Sequence, residues 1–277
     1  MLNNLKTVLK GCVVAGVIGV TGLAQAHPVW ILPSEFSLST EKDKGEWITV
    51  DVSASHNYFG ADKSVALDNF FVLAPDGDRS PIASYFKGQR RSVFDHFIDQ
   101  SGTYKIEGKR PTFYFTSYKS GKRDTPKRMF ANKEEAKSRL PKNARDVSTL
   151  LIDLKTVSYI TNNAPTDDVL ATKGKGLELK PLTHPNDIVV GEEVEFVMLL
   201  DGKPVADVEA EVTPGGTKYR SERGAIEIKT AADGKITFTP EQAGPWLFGA
   251  DLKTPVDSPL ADYQLSIRFM SFEVLPE

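Results

Sequence analysis

The stretch EWITVDVSAS (residues 46–55) alternates apolar and polar side chains with a period of two. Successive strand residues point to opposite faces of a sheet, so Val50, Val52 and Ala54 share one face with either Trp47 or Ile48. That is the pattern of a half-buried strand, with one face in a core and the other in water.

The same alternation recurs on both sides. NFFVLAPDGDRSPIASYF (residues 69–86) reads as strand, turn, strand, with Pro75, Asp76 and Gly77 as turn residues. SGTYKIEGKRPTFYFTSY (residues 101–118) gives two more strands, rich in Tyr, Phe and Thr. Short strands at such spacing define a β-sandwich. The pattern breaks over residues 119–145, which hold ten Lys or Arg and three acidic residues. Within it NKEEAKSRL (residues 132–140) suits a short helix capped by Asn132. A basic excursion of this kind reads as a solvated insertion, or else as a docking patch for an acidic partner or anionic lipid headgroups. STLLIDLKTVSYITNN (residues 148–163) restores the strand pattern.

A polar, breaker-rich seam at residues 162–181 separates a second set of strands. Asp201-Gly202 and Asp233-Gly234 each read as a hairpin turn, and YQLSIRFMSFEV (residues 263–274) as the closing strand. Roughly seven short strands in about 100 residues indicate an immunoglobulin-like sandwich. The expected architecture is therefore all-β. It comprises residues 27–168 as a first sandwich carrying the basic insertion and residues 169–277 as an immunoglobulin-like second one.

Residues 1–26 read as a secretory signal peptide: Lys6 and Lys10, then CVVAGVIGVTGLA, then the small-residue site AQA. Cleavage there removes the chain's one cysteine, Cys12, and leaves 251 residues with 32 basic against 37 acidic, a net charge of −5. A chain without cysteine cannot use disulfides and must rely on packed cores. The mild acidity argues against nucleic acid as a partner. The expected location is the periplasm, with no integral membrane segment after processing.

Motifs of enzymes are missing. There is no nucleophile elbow, no HExxH, no phosphate-binding loop and no dinucleotide fingerprint. The chain reads as a binding protein with no enzymatic activity. Four histidines remain: His27, His56, His96 and His184. Cleavage after Ala26 would give His27 a free α-amine beside its imidazole, two nitrogens able to chelate one ion. Their ordinary pKa values, about 7.7–8 and about 6.5, let a metal displace protons near neutral pH. With a third nitrogen they make a T-shaped site suited to Cu(II) or Ni(II). Pro28 has no amide proton, so the next backbone nitrogen cannot join, and further ligands must come from elsewhere in the fold. His56, in SASHNYFG at a strand end, is the first candidate. His96 is the second, in VFDHFIDQ, with Asp95 beside it as a group that could orient the ring. His184, in THPND, reads as a turn residue.

AHPVWILPS (26–34), SHNYFGAD (55–62), FFVLAPDGDR (70–79), GEEVEFVMLLDGKPVADVEAEVTPGG (191–216) and TAADGKITFTPEQAGPWLFGA (230–250) together resemble a family of exported bacterial proteins. It is called domain of unknown function 4198 and often described as a periplasmic component of cobalt/nickel-type metal uptake. The resemblance covers nearly all of the chain after residue 26. It implies two β-sandwiches and a link to divalent metal transport, with no established reaction. It carries over to His27 and His56 as ligands, whereas His96 rests on the reading of the residues alone.

The expectation is thus a periplasmic accessory protein. It would bind a divalent transition metal (nickel, cobalt, copper or zinc) through His27, His56 and His96 and serve a membrane metal-uptake system. One rival is a metal-free docking module that uses Lys122, Arg123, Lys127 and Arg128. The other is a histidine-brace copper oxidase with Tyr58 or Phe59 as its axial aromatic.

Overall fold

The computed structural model describes residues 27–41, 44–122 and 124–277. The signal-peptide reading of residues 1–26, with Cys12, and the docking role given to Arg123 lie outside the described residues. Among the described residues no helix is long and apolar enough to cross a membrane.

Among the described residues the protein is all-β, built from three sheets with one short α-helix. In Glu46–Ala54 the buried apolar positions are Ile48, Val50, Val52 and Ala54, while Trp47 is 67% exposed, so Ile48 and not Trp47 begins the buried face. This strand lies between Val29–Pro33 and Ser92–Ile98 in a small first sheet.

The central sheet runs through Glu209–Pro214, Gly244–Pro255, Tyr263–Val274, Arg145–Asn162 and Gly102–Lys109 in that spatial order. It serves both sandwiches. Tyr263–Val274 pairs in parallel with Arg145–Asn162, so strands from both sides of the 168/169 seam share one sheet. Its residues alternate between two cores. Ile267 and Phe269 pack with Val50 and Ile106 in the first core, and Met270, Phe272 and Val274 pack with Phe196 and Phe248 in the second. Each such fully buried side chain contributes roughly 1.5–3 kcal/mol by leaving water, the source of stability open to a chain without disulfides. The second sandwich is closed by a sheet of Leu177–Pro181, Val194–Leu200, Lys203–Pro204 and Lys235–Phe238, giving an immunoglobulin-like arrangement.

The two Asp-Gly turns differ from each other: Asp201-Gly202 closes the expected two-residue hairpin, and Asp233-Gly234 does not. Asp201 and Gly202 both have positive φ, and Lys203–Pro204 folds back on Leu199 and Leu200. The chain then leaves for the central sheet at Glu209. Asp233-Gly234 joins Ile226–Lys229 in the central sheet to Lys235–Phe238 in the closing sheet. A crossing between sheets replaces the expected strand pair at Asp233-Gly234 alone, where the two flanking strands cover the second core from opposite sides.

The basic segment is folded rather than a free loop. Lys127–Phe130 pairs with Phe113–Lys119 at the edge of the central sheet. The helix Lys133–Arg139 follows, and Asn132 and Glu135 form a reciprocal capping box at its start. Lys133 reaches Asp262 at 2.6 Å, which fastens the helix to the second half of the chain.

Candidate functional site

Val29–Pro33 is an edge strand, and its free side is covered by side chains instead of another strand. Thr156 Oγ1 donates to the Val29 carbonyl at 2.9 Å, and the Ile31 amide donates to Ser271 Oγ at 3.1 Å. Its paired side matches Val29 to Ala54, and the Ser55 amide donates to the Pro28 carbonyl at 3.0 Å. Continuing that ladder by two residues sets His27 against His56. Their ring centroids are 4.4 Å apart, with planes tilted by 47°.

The loop that carries His56 is held from below and from the side. Trp30 Nε1 donates to Ser55 Oγ at 3.1 Å, and Ser55 Oγ donates to the Asn57 carbonyl at 2.6 Å. Phe59, with φ of 60°, lies on Trp30 at 5.7 Å. The second sandwich supplies the rest. Thr217 Oγ1 donates to Asn57 Oδ1 at 2.9 Å, and the Tyr58 hydroxyl donates to Glu211 at 3.2 Å and accepts from Arg223. Gly215 sits so close to Phe59 and the Pro245 carbonyl that a Cβ there would be only 3.0 and 2.9 Å away. Both aromatics are thus committed to packing and hydrogen bonding, and the Tyr58 hydroxyl is not free to act as an axial metal ligand.

Burial, with Lys63 and His56 next in weight, lowers the His27 pKa below its ordinary value, against the opposing pull of Asp62. The ring is therefore neutral at neutral pH, the form that binds a metal. A bond of 2.0–2.1 Å places a ring centre roughly 3.2 Å from its metal, so two rings at neighbouring corners lie about 4.5 Å apart at a right angle or about 5.2 Å apart at a tetrahedral angle, and at opposite ends about 6.4 Å. The observed separation matches neighbouring corners. A T-shaped brace, with its rings opposite, would need them about 2 Å further apart.

His96 does not reach this pair. It is in register with Ile48, six residues before the end of Glu46–Ala54, hence roughly 20 Å back along the strand. Its half-buried ring lies edge-on to Tyr104 at 6.2 Å, and burial lowers its pKa. Asp95 points to the opposite face, where it accepts from Thr49 Oγ1 at 2.7 Å, so it does not orient the ring. His184 is a structural turn residue. The Asn186 amide donates to its Nδ1 at 3.1 Å, which leaves Nε2 to carry the proton and donate to Thr103 Oγ1, also at 3.1 Å. Among the described residues no three His, Cys, Asp or Glu side chains converge.

His27 also opens onto a cleft of about 720 Å³ that the sequence did not reveal. Its lining combines three cations, Lys63, Lys87 and Arg110, with three aromatic side chains, Phe113, Phe115 and Phe130. These residues come from four strands and one loop with no common motif, so only the fold brings them together. A second cavity, about 80 Å³, lies between the two cores. Among its charges, Glu107 meets Lys105 at 3.4 Å and Lys173 at 3.6 Å, and Arg268 meets Asp153 at 2.6 Å.

Fold and site together define an all-β protein of two sandwiches on a shared sheet, with a histidine pair at the lip of a cationic, aromatic cleft. The chain belongs to the family described as a domain of unknown function, DUF4198, whose model matches residues 24–254. No curated protein matches it. Among solved structures, the D00-D0 domain of intimin aligns with 90% of this chain and 100% of its own at 12% identity and a TM-score of 0.20. The FN1–FN3 domains of chicken CNTN1 align with 90% of this chain and 98% of their own at 8% identity and a TM-score of 0.22. Likeness at that level carries no functional information.

Proposed function

We propose that the protein is a periplasmic carrier that binds one divalent transition-metal ion as cargo and passes it to a membrane uptake system. The ligands are the His27 α-amine, the His27 ring and the His56 ring. The observation that carries this reading is the meeting of two imidazoles 4.4 Å apart, from residues 29 positions apart in sequence, at the point where the mature chain would begin. The rigid strand beneath His27 and the clamped loop beneath His56 support it, since a preorganised pair loses less entropy on binding. Nickel, cobalt, copper and zinc all suit such nitrogen donors.

Calorimetric titration with Ni(II) tests the reading. A chain beginning at His27 is expected to bind one ion, and His56→Ala or one extra residue before His27 is expected to weaken binding at least tenfold. Equal affinity in all three chains would remove the site.

A further inference from the structure

The cleft beside the histidine pair is electrostatically wrong for a bare metal ion. Lys63, Lys87 and Arg110 line it, and no Asp or Glu is among its lining residues. Among the described residues, none of the three cations is in an ion pair. A divalent cation arriving alone meets positive charges with no carboxylate on the cleft wall to offset them. Asp62, next to Lys63, is an exposed residue outside the cleft lining. The same cations attract a ligand of net negative charge.

Size points the same way. An ion with six waters occupies about 180 Å³ at roughly 30 Å³ per water. The cleft holds about 720 Å³. That lies within the range of small-molecule sites, about 300–1,000 Å³. Coordination adds a third argument. Three protein nitrogens leave at least one position open on a four-coordinate ion and three on a six-coordinate one. No further protein side chain stands ready to fill them among the described residues.

The aromatic lining says what else the occupant carries. Phe113 and Phe115 lie 5.3 Å apart, Phe115 and Phe130 4.5 Å apart, and Phe130 is 70% exposed. The Arg110 guanidinium stands 5.6 Å from the Phe113 ring centre, joining the cationic lining to the aromatic one. An exposed phenylalanine in a concave, charged site supplies a surface for a flat apolar group.

We infer that the cargo enters as an anionic chelate: a metal ion held by a small carboxylate- or catecholate-type chelator with a flat apolar portion, whose open coordination positions are taken by His27 and His56. Its negative charge rests against Lys63, Lys87 and Arg110, and its flat portion on Phe113, Phe115 and Phe130. This inference rests on the metal reading above and names the form in which the metal is bound.

The test uses the chain beginning at His27 and four probes: nickel alone, nickel citrate (anionic, aliphatic), nickel with a sulfonated catechol (anionic, aromatic) and nickel phenanthroline (cationic, aromatic). Both anionic complexes are expected to bind at least tenfold more tightly than nickel alone, the sulfonated catechol most tightly, and the phenanthroline complex least. The double variant Lys63→Gln/Arg110→Gln should lose that tenfold advantage while binding nickel alone at least as tightly as before, since two repelling charges are gone. Phe130→Ala should weaken the sulfonated catechol complex and leave the citrate complex unchanged, with thermal unfolding confirming that each variant is folded. Anionic complexes that bind no better than nickel alone, or an advantage that survives in the double variant, would overturn the chelate inference. Nickel affinity indifferent to His56→Ala would overturn the metal reading instead, so the two failures are distinct.

Discussion

Tyr58 and Glu211 are 153 positions apart in sequence, yet the Tyr58 hydroxyl donates to the Glu211 carboxylate at 3.2 Å. Arg223 completes the group by reaching both. This contact ties the loop that presents His56 to the second sandwich, so the second sandwich helps to set the position of His56.

Removing the hydroxyl tests that dependence. Tyr58→Phe keeps the ring in its buried place and leaves Glu211 paired with Arg223, so the loss in stability should be about 1–3 kcal/mol, that of the two hydrogen bonds the hydroxyl makes. Nickel affinity should fall several-fold because His56 is less firmly placed, with His27 untouched. Chemical denaturation and calorimetry on the same variant separate the two effects. A stability loss without an affinity loss would show that the clamp does not position His56.

Proton release is the second expectation. The His27 imidazole is already neutral at neutral pH, so protons released there on metal binding come chiefly from the α-amine, whose ordinary pKa is about 7.7–8. Affinity should rise roughly tenfold per pH unit between about 6.5 and 7.5 and level off above about 8. Extending the chain by one residue before His27 should abolish that slope. Calorimetry in buffers of different ionisation enthalpy counts the protons directly.

Much of this fold could be read from local pattern. Ile48 to Ala54, the Pro75-Asp76-Gly77 turn and the Asn132 cap are all written within a few residues, and the structure has each where the pattern put it. The pairing of Tyr263–Val274 with Arg145–Asn162 was not legible, because alternation shows that a strand has two faces but not which strand lies beside it. The site divides in the same way. His27 and His56 stood out because histidine is scarce here and both sit at strand ends. Whether His96 belonged with them depended on register, and Ile48 opposite His96 fixes it at the far end of the sheet. Lys63, Arg110 and Phe130 gave no signal, since a lysine or an exposed phenylalanine is ordinary until the fold sets it beside a histidine.

Arg268 supplies a third prediction. It is 6% exposed, and its guanidinium donates to Asp153 Oδ2 at 2.6 Å and to the Leu177 carbonyl at 2.6 Å. Burial works against the Asp153 carboxylate, yet the charge and hydrogen bond of Arg268 hold it below the usual carboxylate range. Arg268→Met leaves that carboxylate poorly compensated and should cost about 3–5 kcal/mol, read from the denaturant midpoint. Adding Asp153→Leu should recover most of the loss, because the penalty lies in the uncompensated charge. No recovery would mean that Arg268 acts through the Leu177 carbonyl instead.

Asp251 predicts a pH dependence of the opposite kind. It is 8% exposed, its Oδ1 has no partner among the described residues, and Glu209 stands directly across the strand pair. Burial first, and the Glu209 charge second, push its carboxyl up from 3.8 to about 6. Between those two values the folded chain binds more protons than the unfolded one. The stabilisation is therefore full below about 3.8 and is lost as pH rises through about 6. That shift corresponds to about 3 kcal/mol at 1.36 kcal/mol per unit. Asp251→Asn keeps the shape and removes the charge, so it should stabilise the protein by up to about 3 kcal/mol at pH 8 and by little at pH 4. Urea unfolding of both chains across that range measures the difference. A gain of equal size at both ends would assign it to packing or hydrogen bonding, and Asp251 would then carry no buried charge.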